Sequence, residues 1–298
     1  MNAESINIAV FGDTHGHLRL MFQLCRLWQL DHGMHLDGIL QCGDLGFFPE
    51  VTRLDKATKS YAKRDPEELG FAEYFSKSGQ TETDPLLEKI LKGDPDDLET
   101  VRAAVGFCHG NHEDFELLKQ ATGSENMVTV DRYDCLSYLP SGETTEIAGL
   151  SVAALGGAPE SVGDADAPLL SRSVSGMAAR RLTRQRFNVL LCHGAPKGIG
   201  GESDQWGSAL IRNVIERVQP AYCFFGHHRQ PIEPATIGQT KCYWHNDVNF
   251  ERDRNRRYTG PPEPRCMGIL SWTAGHHDFQ YVDEPWFRDL TGSNWRHW

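Results

Sequence analysis

Five short segments carry the side chains that bind hard and borderline metal ions: Asp13-Thr14-His15, Gly43-Asp44, Gly110-Asn111-His112-Glu113, His193-Gly194 and Gly226-His227-His228-Arg229. They offer carboxylates, imidazoles and one amide oxygen, the donor set of divalent-metal sites. Holding two metals about 3.5–4 Å apart takes a bridging carboxylate, and Asp44 is the natural candidate. Asp13 and His15, two residues apart, can reach one metal from a single loop. Asn111, His193 and His227 can complete the other. The amide oxygen of Asn111 would bind without adding negative charge beside an anionic substrate. His112 follows Asn111 and is placed for acid chemistry, supplying a proton to a leaving alkoxide. Glu113 or Asp114 is expected to orient it, although acidic residues there also suit a plain helix N-terminus. A dinuclear site of this kind points to hydrolysis of a phosphate ester.

Each segment follows a short apolar run, as where a buried strand ends and a loop begins. Asn7 to Phe11 reads as a strand, Leu18 to Leu30 as a helix with Leu20, Leu24, Leu27 and Trp28 on one side, and Gly38 to Cys42 as a second strand. Strand, helix and strand in this span form a parallel βαβ unit. Ala103 to Cys108, Phe187 to Cys192 and Ala221 to Phe225 read as further strands ending at the motifs. Thr144 to Ile147, Ser151 to Leu155, Thr240 to Trp244 and Cys266 to Thr273 extend the β content, and Ala209 to Val218 is an amphipathic helix. In open α/β sheets the carboxyl edge is where ligands bind. The expected fold is therefore α/β: a four-layer αββα sandwich of two mixed β-sheets flanked by helices. It occupies residues 1–282 as one domain. The charged stretch at about 47–100 is an insertion with short helices near Leu69 to Phe75 and Leu86 to Leu91. The Trp-rich tail, 283–298, is expected to lie as a strap on the surface.

The chain has 298 residues and 39% hydrophobic content, enough to bury a full core. No run of about 18 apolar residues is present, so no membrane span is expected. Met1 to Asn7 lacks the basic and apolar regions of a signal peptide, and a cytoplasmic location is expected. The eight cysteines are scattered without a CxxC pair and read as reduced core thiols. The formal net charge of −11 disfavours nonspecific gripping of nucleic acid but leaves room for a local basic groove. Two segments are locally basic. Arg172 to Arg186 reads as a solvated helix face, and Arg252 to Arg257 as a mobile loop.

The five motifs resemble those of the calcineurin-like metallophosphoesterases, whose pattern is DxH, GDxx, GNH[ED], H and GHxH. The likeness runs from Asp13 to Arg229. It implies one metal on Asp13, His15 and Asp44, a second on Asp44, Asn111, His193 and His227, and His112 as the catalytic histidine. It also implies the four-layer sandwich and two divalent ions, usually Mn, Fe or Zn. The run Gly43-Asp44-Leu45-Gly46-Phe47-Phe48 lacks the Asp-Arg-Gly of the phosphoprotein phosphatases, which disfavours that branch. The layout looks nearer to the RNA lariat debranching enzymes and their relatives, which cleave 2′,5′-phosphodiesters but commonly have Cys where this chain has Asp13.

Arg229 departs from the pattern, because the family's final histidine binds the first metal and a guanidinium cannot. The first metal then binds weakly through water, His228 swings in, or Arg229 holds the substrate phosphate as a bidentate partner. A structural salt bridge is the plainer role for Arg229. Weak first-metal binding with Arg229, and secondarily His228, near the phosphate is the expectation. His17 and His109 are further candidates to line the pocket. The expected function is a metal-dependent phosphodiesterase that hydrolyses a nucleotide or nucleic-acid (RNA) phosphodiester by metal-activated hydroxide. The alternatives are a phosphomonoesterase acting on proteins or small metabolites, and a non-catalytic scaffold with a weakened metal site. Nothing in the sequence names a protein partner.

Overall fold

Strand β1 (Ile6–Phe11) is apolar on both faces. Alternate residues of a strand point to opposite sides of a sheet, so Ile8 and Val10 enter one hydrophobic cluster while Ala9 and Phe11 enter another. That double burial requires a layer on each side of the sheet. A computed structural model describes residues 5–77, 83–122, 125–159, 167–200, 206–255, 257–273 and 275–298. Helix α1 (Leu18–His32) covers one face of β1 and closes at Gly33, whose left-handed φ of 64° lets its N–H bond Gln29 O. Strand β2 (Gly38–Gln41) then pairs parallel to β1.

Among the described residues of the insertion two α-helices follow, α2 (Lys56–Tyr61) and α3 (Pro85–Lys92), each opened by an aspartate that caps backbone N–H, with a 3-10 turn at Pro66–Leu69 and a π-helical turn at Phe71–Phe75 between them. The chain continues with β3 (Val105–Phe107), α4 (Phe115–Thr122), β4 (Val128–Thr129), β5 (Leu136–Tyr138), β6 (Thr144–Ile147) and β7 (Leu150–Leu155). Next come α5 (Gly176–Leu182), β8 (Val189–Cys192), α6 (Ala209–Val218) and β9 (Tyr222–Phe225). The last elements are β10 (Ala235–Ile237), β11 (Thr240–Trp244), β12 (Phe250–Arg252), β13 (Tyr258–Pro262), β14 (Met267–Thr273), β15 (His276–Tyr281) and α7 (Pro285–Asp289).

The first sheet has the order β15-β14-β1-β2-β3-β5-β4 and the second β10-β11-β9-β8-β7-β6, both mixed. Val10, Leu40, Val152, Leu191 and Phe224 fill the space between the sheets. Helices α5 and α6 cover the outer face of the second sheet, where Leu190 and Cys192 meet Ala178, Ile211 and Ile215. The fold is thus the four-layer αββα sandwich. All eight cysteines are unpaired and seven are buried, packing as small apolar residues. Among the described residues no helix is long and apolar enough to cross a membrane.

Two expectations sharpen. The tail is a strap with buried anchors: Phe287, Leu290 and Trp295 enter the same cluster as α1, while Asp283, Pro285, Arg288 and Trp298 stay exposed. Gln23 Nε2 donates to Trp295 O and Trp298 O at 2.9 and 3.1 Å, fixing the tail to a buried polar position of the helix. The large aromatic area outweighs the cost of ordering the segment. Arg252 to Arg257 is not simply a loop, since Arg252 ends β12 and faces Tyr258 of β13 across a hairpin. A surface residue would tolerate truncation within about 0.5 kcal/mol. Trp295→Ala is instead expected to destabilise the protein by about 3–5 kcal/mol, read as a lowered midpoint in chemical denaturation.

Candidate metal centre

Six candidate donors follow the carboxyl ends of parallel strands. Asp13 and His15 follow β1, Asp44 follows β2, Asn111 follows β3, His193 follows β8 and His227 follows β9. Because the two sheets pack face to face, their loops meet at one edge. Donor atoms of Asp44, His193 and His227 lie within 4.8 Å of one another, as do those of Asp13, His15 and Asp44. Asp44 belongs to both sets. Asn111 joins the first set, with Oδ1 3.0 Å from His193 Nε2.

The carboxylates are held by backbone. Asp44 Oδ1 accepts from Asn111 N at 2.6 Å and His112 N at 2.7 Å, while Oδ2 lies 3.5 Å from His193 Nε2 and 3.8 Å from His15 Nε2. Asp13 Oδ1 accepts from His227 N at 3.0 Å. Such approaches exclude a side chain at two glycines. A Cβ on Gly110 would sit 2.0 Å from Asp44 Oδ1, and one on Gly226 would sit 2.2 Å from Asp13 Oδ1. Close approach, and not a sharp turn, is what these two positions demand. His15, Asp44 and His227 adopt left-handed φ values of 43°, 50° and 66°. Non-glycine residues persist in that region only when their surroundings over-determine them, a pattern that clusters at functional sites.

The electrostatics are those of a centre short of positive charge. Burial, with Asp44 adding to it, pushes Asp13 well above the usual carboxylate range. Burial also acts to raise Asp44, but the His193 imidazole outweighs it and holds Asp44 below that range. His193 is fully buried, which opposes its protonation, yet Asp44 and Asp13 push it up to about 10. Its Nδ1 donates to Cys42 O at 3.0 Å, which directs Nε2 toward the oxygens of Asn111 and Asp44. Without a metal, Nε2 carries the proton that the Asp44 and Asp13 carboxylates favour. A divalent ion would take that proton's place among the same oxygens, so the residues fit divalent ions, and a bound cation inverts this local pKa order.

The sequence profile of calcineurin-like phosphoesterases matches residues 6–231. The chain belongs to this family. It is a metal-dependent phosphoesterase, with Asp and His clusters able to hold the metals. No curated protein matches the sequence. Among solved structures, TT1561 of Thermus thermophilus superposes with TM-score 0.51 at 14% identity, covering 94% of this chain and 100% of that one. That likeness is one of fold. A conserved uncharacterized protein described as a predicted phosphoesterase, from Streptococcus pneumoniae, aligns with TM-score 0.37 at 11% identity, covering 97% and 92%. A phosphatase from Mycoplasma pneumoniae aligns with TM-score 0.44 at 10% identity, covering 98% and 99%.

The other candidates in this phosphoesterase divide. His112 joins the site, but neither Glu113 nor Asp114 orients it. Its Nδ1 is 2.6 Å from Oδ2 of Asp55, the residue that caps α2 in the insertion. Glu113 is buried and accepts from Leu45 N at 2.9 Å and Phe47 N at 2.6 Å, clasping the loop after Asp44. Asp114 pairs with Arg53. His228 turns elsewhere: its Nε2 accepts from Ala195 N at 3.1 Å and its ring packs 4.0 Å from Trp206, so it is not among the residues lining the cavity. Arg229 does line that cavity, of about 370 Å³, together with Asp13, His15, Asp44, Asn111 and His227. It makes no ion pair within 4 Å among the described residues and donates to Tyr61 Oη at 3.0 Å.

His17 lines the cavity and is pinned between Thr14 O and Asp65. Burial opposes its charge, but Asp65 prevails and pushes it up to about 9. His109 is a core residue bonded to Tyr138 Oη. Asp55, Tyr61 and Asp247 are the functional candidates that the motifs do not reveal. Asp247 follows β11, lines the cavity, and sits beside Val248, whose N–H donates to Asp13 O at 2.7 Å.

Metal should stabilise this fold. Raising Mn²⁺ to 100 times its Kd is expected to add about 2.7 kcal/mol to the stability of metal-stripped protein, read as a rise in thermal midpoint. Asp44→Ala is expected to abolish that rise, and an equal rise in the variant would contradict the assignment of Asp44.

Proposed function

We propose that this phosphoesterase hydrolyses phosphodiesters of the nucleotide or nucleic-acid class. One observation carries the reading. His112 lines two adjoining cavities, one shared with the metal ligands and one bordered by Asp55, Lys56 and Arg172, which leaves room for a second substituent on a phosphate held at the metals. Tyr61 and Tyr258 line the first cavity and offer surfaces on which a base can stack.

In this reading Asp13, His15 and Asp44 hold one divalent ion, and Asp44, Asn111, His193 and His227 hold the other. Ions bound there would neutralise phosphoryl charge and activate water for attack. The bond from His112 Nδ1 to Asp55 leaves Nε2 to serve the leaving oxygen. That bond also raises the His112 pKa, with burial opposing it, and so favours the protonated form an acid requires. Glu113 keeps the loops of Asp44 and Asn111 at fixed separation. Arg229, backed by Tyr61, presents its guanidinium to a phosphoryl oxygen. Because arginine cannot ligate, the metal on Asp13, His15 and Asp44 is held more weakly than its neighbour.

The purified protein with Mn²⁺ is expected to cleave bis-p-nitrophenyl phosphate faster than p-nitrophenyl phosphate. His112→Ala should lower kcat by roughly 10²–10⁴-fold. Faster monoester cleavage would favour a phosphomonoesterase. Asp55→Asn removes the partner that raises the His112 pKa. The acid form is then lost at lower pH, so the basic limb of the kcat–pH profile should move toward acid. An unmoved limb would separate Asp55 from the acid. Arg229→His restores an imidazole, and calorimetric titration should show the weaker metal binding more tightly.

A further inference from the structure

The second cavity, about 450 Å³, is walled by Lys56, Ser60 and Tyr61 of α2 together with Asp55, His112 and Arg172. Ala57, Tyr61 and His112 line both cavities, so α2 partitions the space and His112 stands at the junction. All six candidate metal ligands border the first cavity or lie beneath it, and none borders the second. The phosphoryl group therefore stays on the first side. Its leaving oxygen must come within hydrogen-bond reach of His112. A group carried by that oxygen has the second cavity open to it beside the imidazole.

The charge of this second lobe runs against that of the chain. Lys56 makes no ion pair among the described residues. Arg172 Nη2 is 3.8 Å from Asp55 Oδ2, too long for a direct hydrogen bond. That carboxylate is already occupied by His112 Nδ1 at 2.6 Å and Thr58 N at 2.7 Å. Two cations thus face the lobe while its single acid is committed elsewhere, in a protein of net charge −11.

We infer that the second lobe receives the leaving alcohol, and that this alcohol carries a phosphate held by Lys56 and Arg172. The inference rests on the phosphodiesterase reading and names the half of the substrate that departs. Water adds its oxygen to phosphorus, and the P–O bond to the alcohol breaks with its electron pair going to oxygen. His112 delivers the proton to that oxygen, and the proton released by water goes to solvent. The products are a phosphomonoester on the metal side and a phosphate-bearing alcohol in the second lobe. A guanidinium suits a phosphate because two parallel N–H groups match two of its oxygens, and the ammonium adds an unoriented charge.

The test uses the full-length, metal-loaded protein with metal content verified by elemental analysis. Three substrates are compared: dithymidine monophosphate, and the same dinucleotide with a terminal phosphate on either its 5′ or its 3′ end. Product analysis identifies which nucleoside leaves. A phosphate on the leaving nucleoside is expected to lower KM roughly tenfold, as two solvent-exposed charge pairs allow. The gain should shrink as salt is raised. It should vanish when Lys56→Gln and Arg172→Gln are combined, and the phosphate on the other nucleoside should give no comparable gain. Equal KM values for the phosphorylated and unphosphorylated leaving nucleoside in the unaltered protein, or a gain that survives the double substitution, would overturn the inference alone. If metal-loaded protein cleaves none of the three, the phosphodiesterase reading falls and the inference falls with it.

Discussion

Asp13 and Asp44 lie buried at the edge where the two sheets meet, and they cannot both be ionised there without a cation between them. Desolvation and mutual repulsion lift Asp13, while His193 takes up the compensating charge beside Asp44. Much of the local structure serves to keep these groups in a place they would otherwise leave. Backbone N–H groups from the loops after β3 and β9 clasp the two carboxylates. Two glycines admit the contact, and three non-glycine residues accept left-handed backbone around it. Buried Glu113 joins the loop of Asp44 to the loop of Asn111 through two N–H groups. A site built this way is organised before any ion arrives, which limits the reorganisation that binding and reaction require.

The six metal-ligand candidates were legible because each sits directly after an apolar run, where chain order and spatial position coincide. Strand β8 leads into His193 and β9, through Gly226, into His227, and both strands are apolar because they are buried on two faces. Helix α6 and strand β11 fall on the expected residues, Ala209–Val218 and Thr240–Trp244. Short or polar strands escaped. Leu136–Tyr138 spans three residues, and His276–Tyr281 is an edge strand with polar residues at most positions. The tail's anchors escaped too, because a Trp-rich segment without periodicity gives no sign of which side chains enter the core.

The partner of His112 was hidden for a different reason. Asp55 is 57 positions away and looks like an ordinary helix cap, which it also is. Only the folding of the insertion over the strand edge turns a cap into the partner of His112. The same insertion brings Tyr61 to Arg229 and walls the second cavity. The arginine that breaks the family motif is thus no isolated substitution. It faces an aromatic residue from the insertion, where a histidine would have faced the metal. His228 does not compensate, since its ring is committed to Ala195 and Trp206.

The central claim is that the buried carboxylates exist to hold two cations on either side of Asp44. Anomalous scattering from crystals equilibrated with Mn²⁺, recorded on both sides of the manganese absorption edge, tests it most directly. Two peaks are expected about 3.5–4 Å apart, one within bonding distance of Asp13, His15 and Asp44 and the other of Asp44, Asn111, His193 and His227, the first weaker. Peaks absent from this edge at saturating Mn²⁺, or found only on ligands elsewhere, would contradict it.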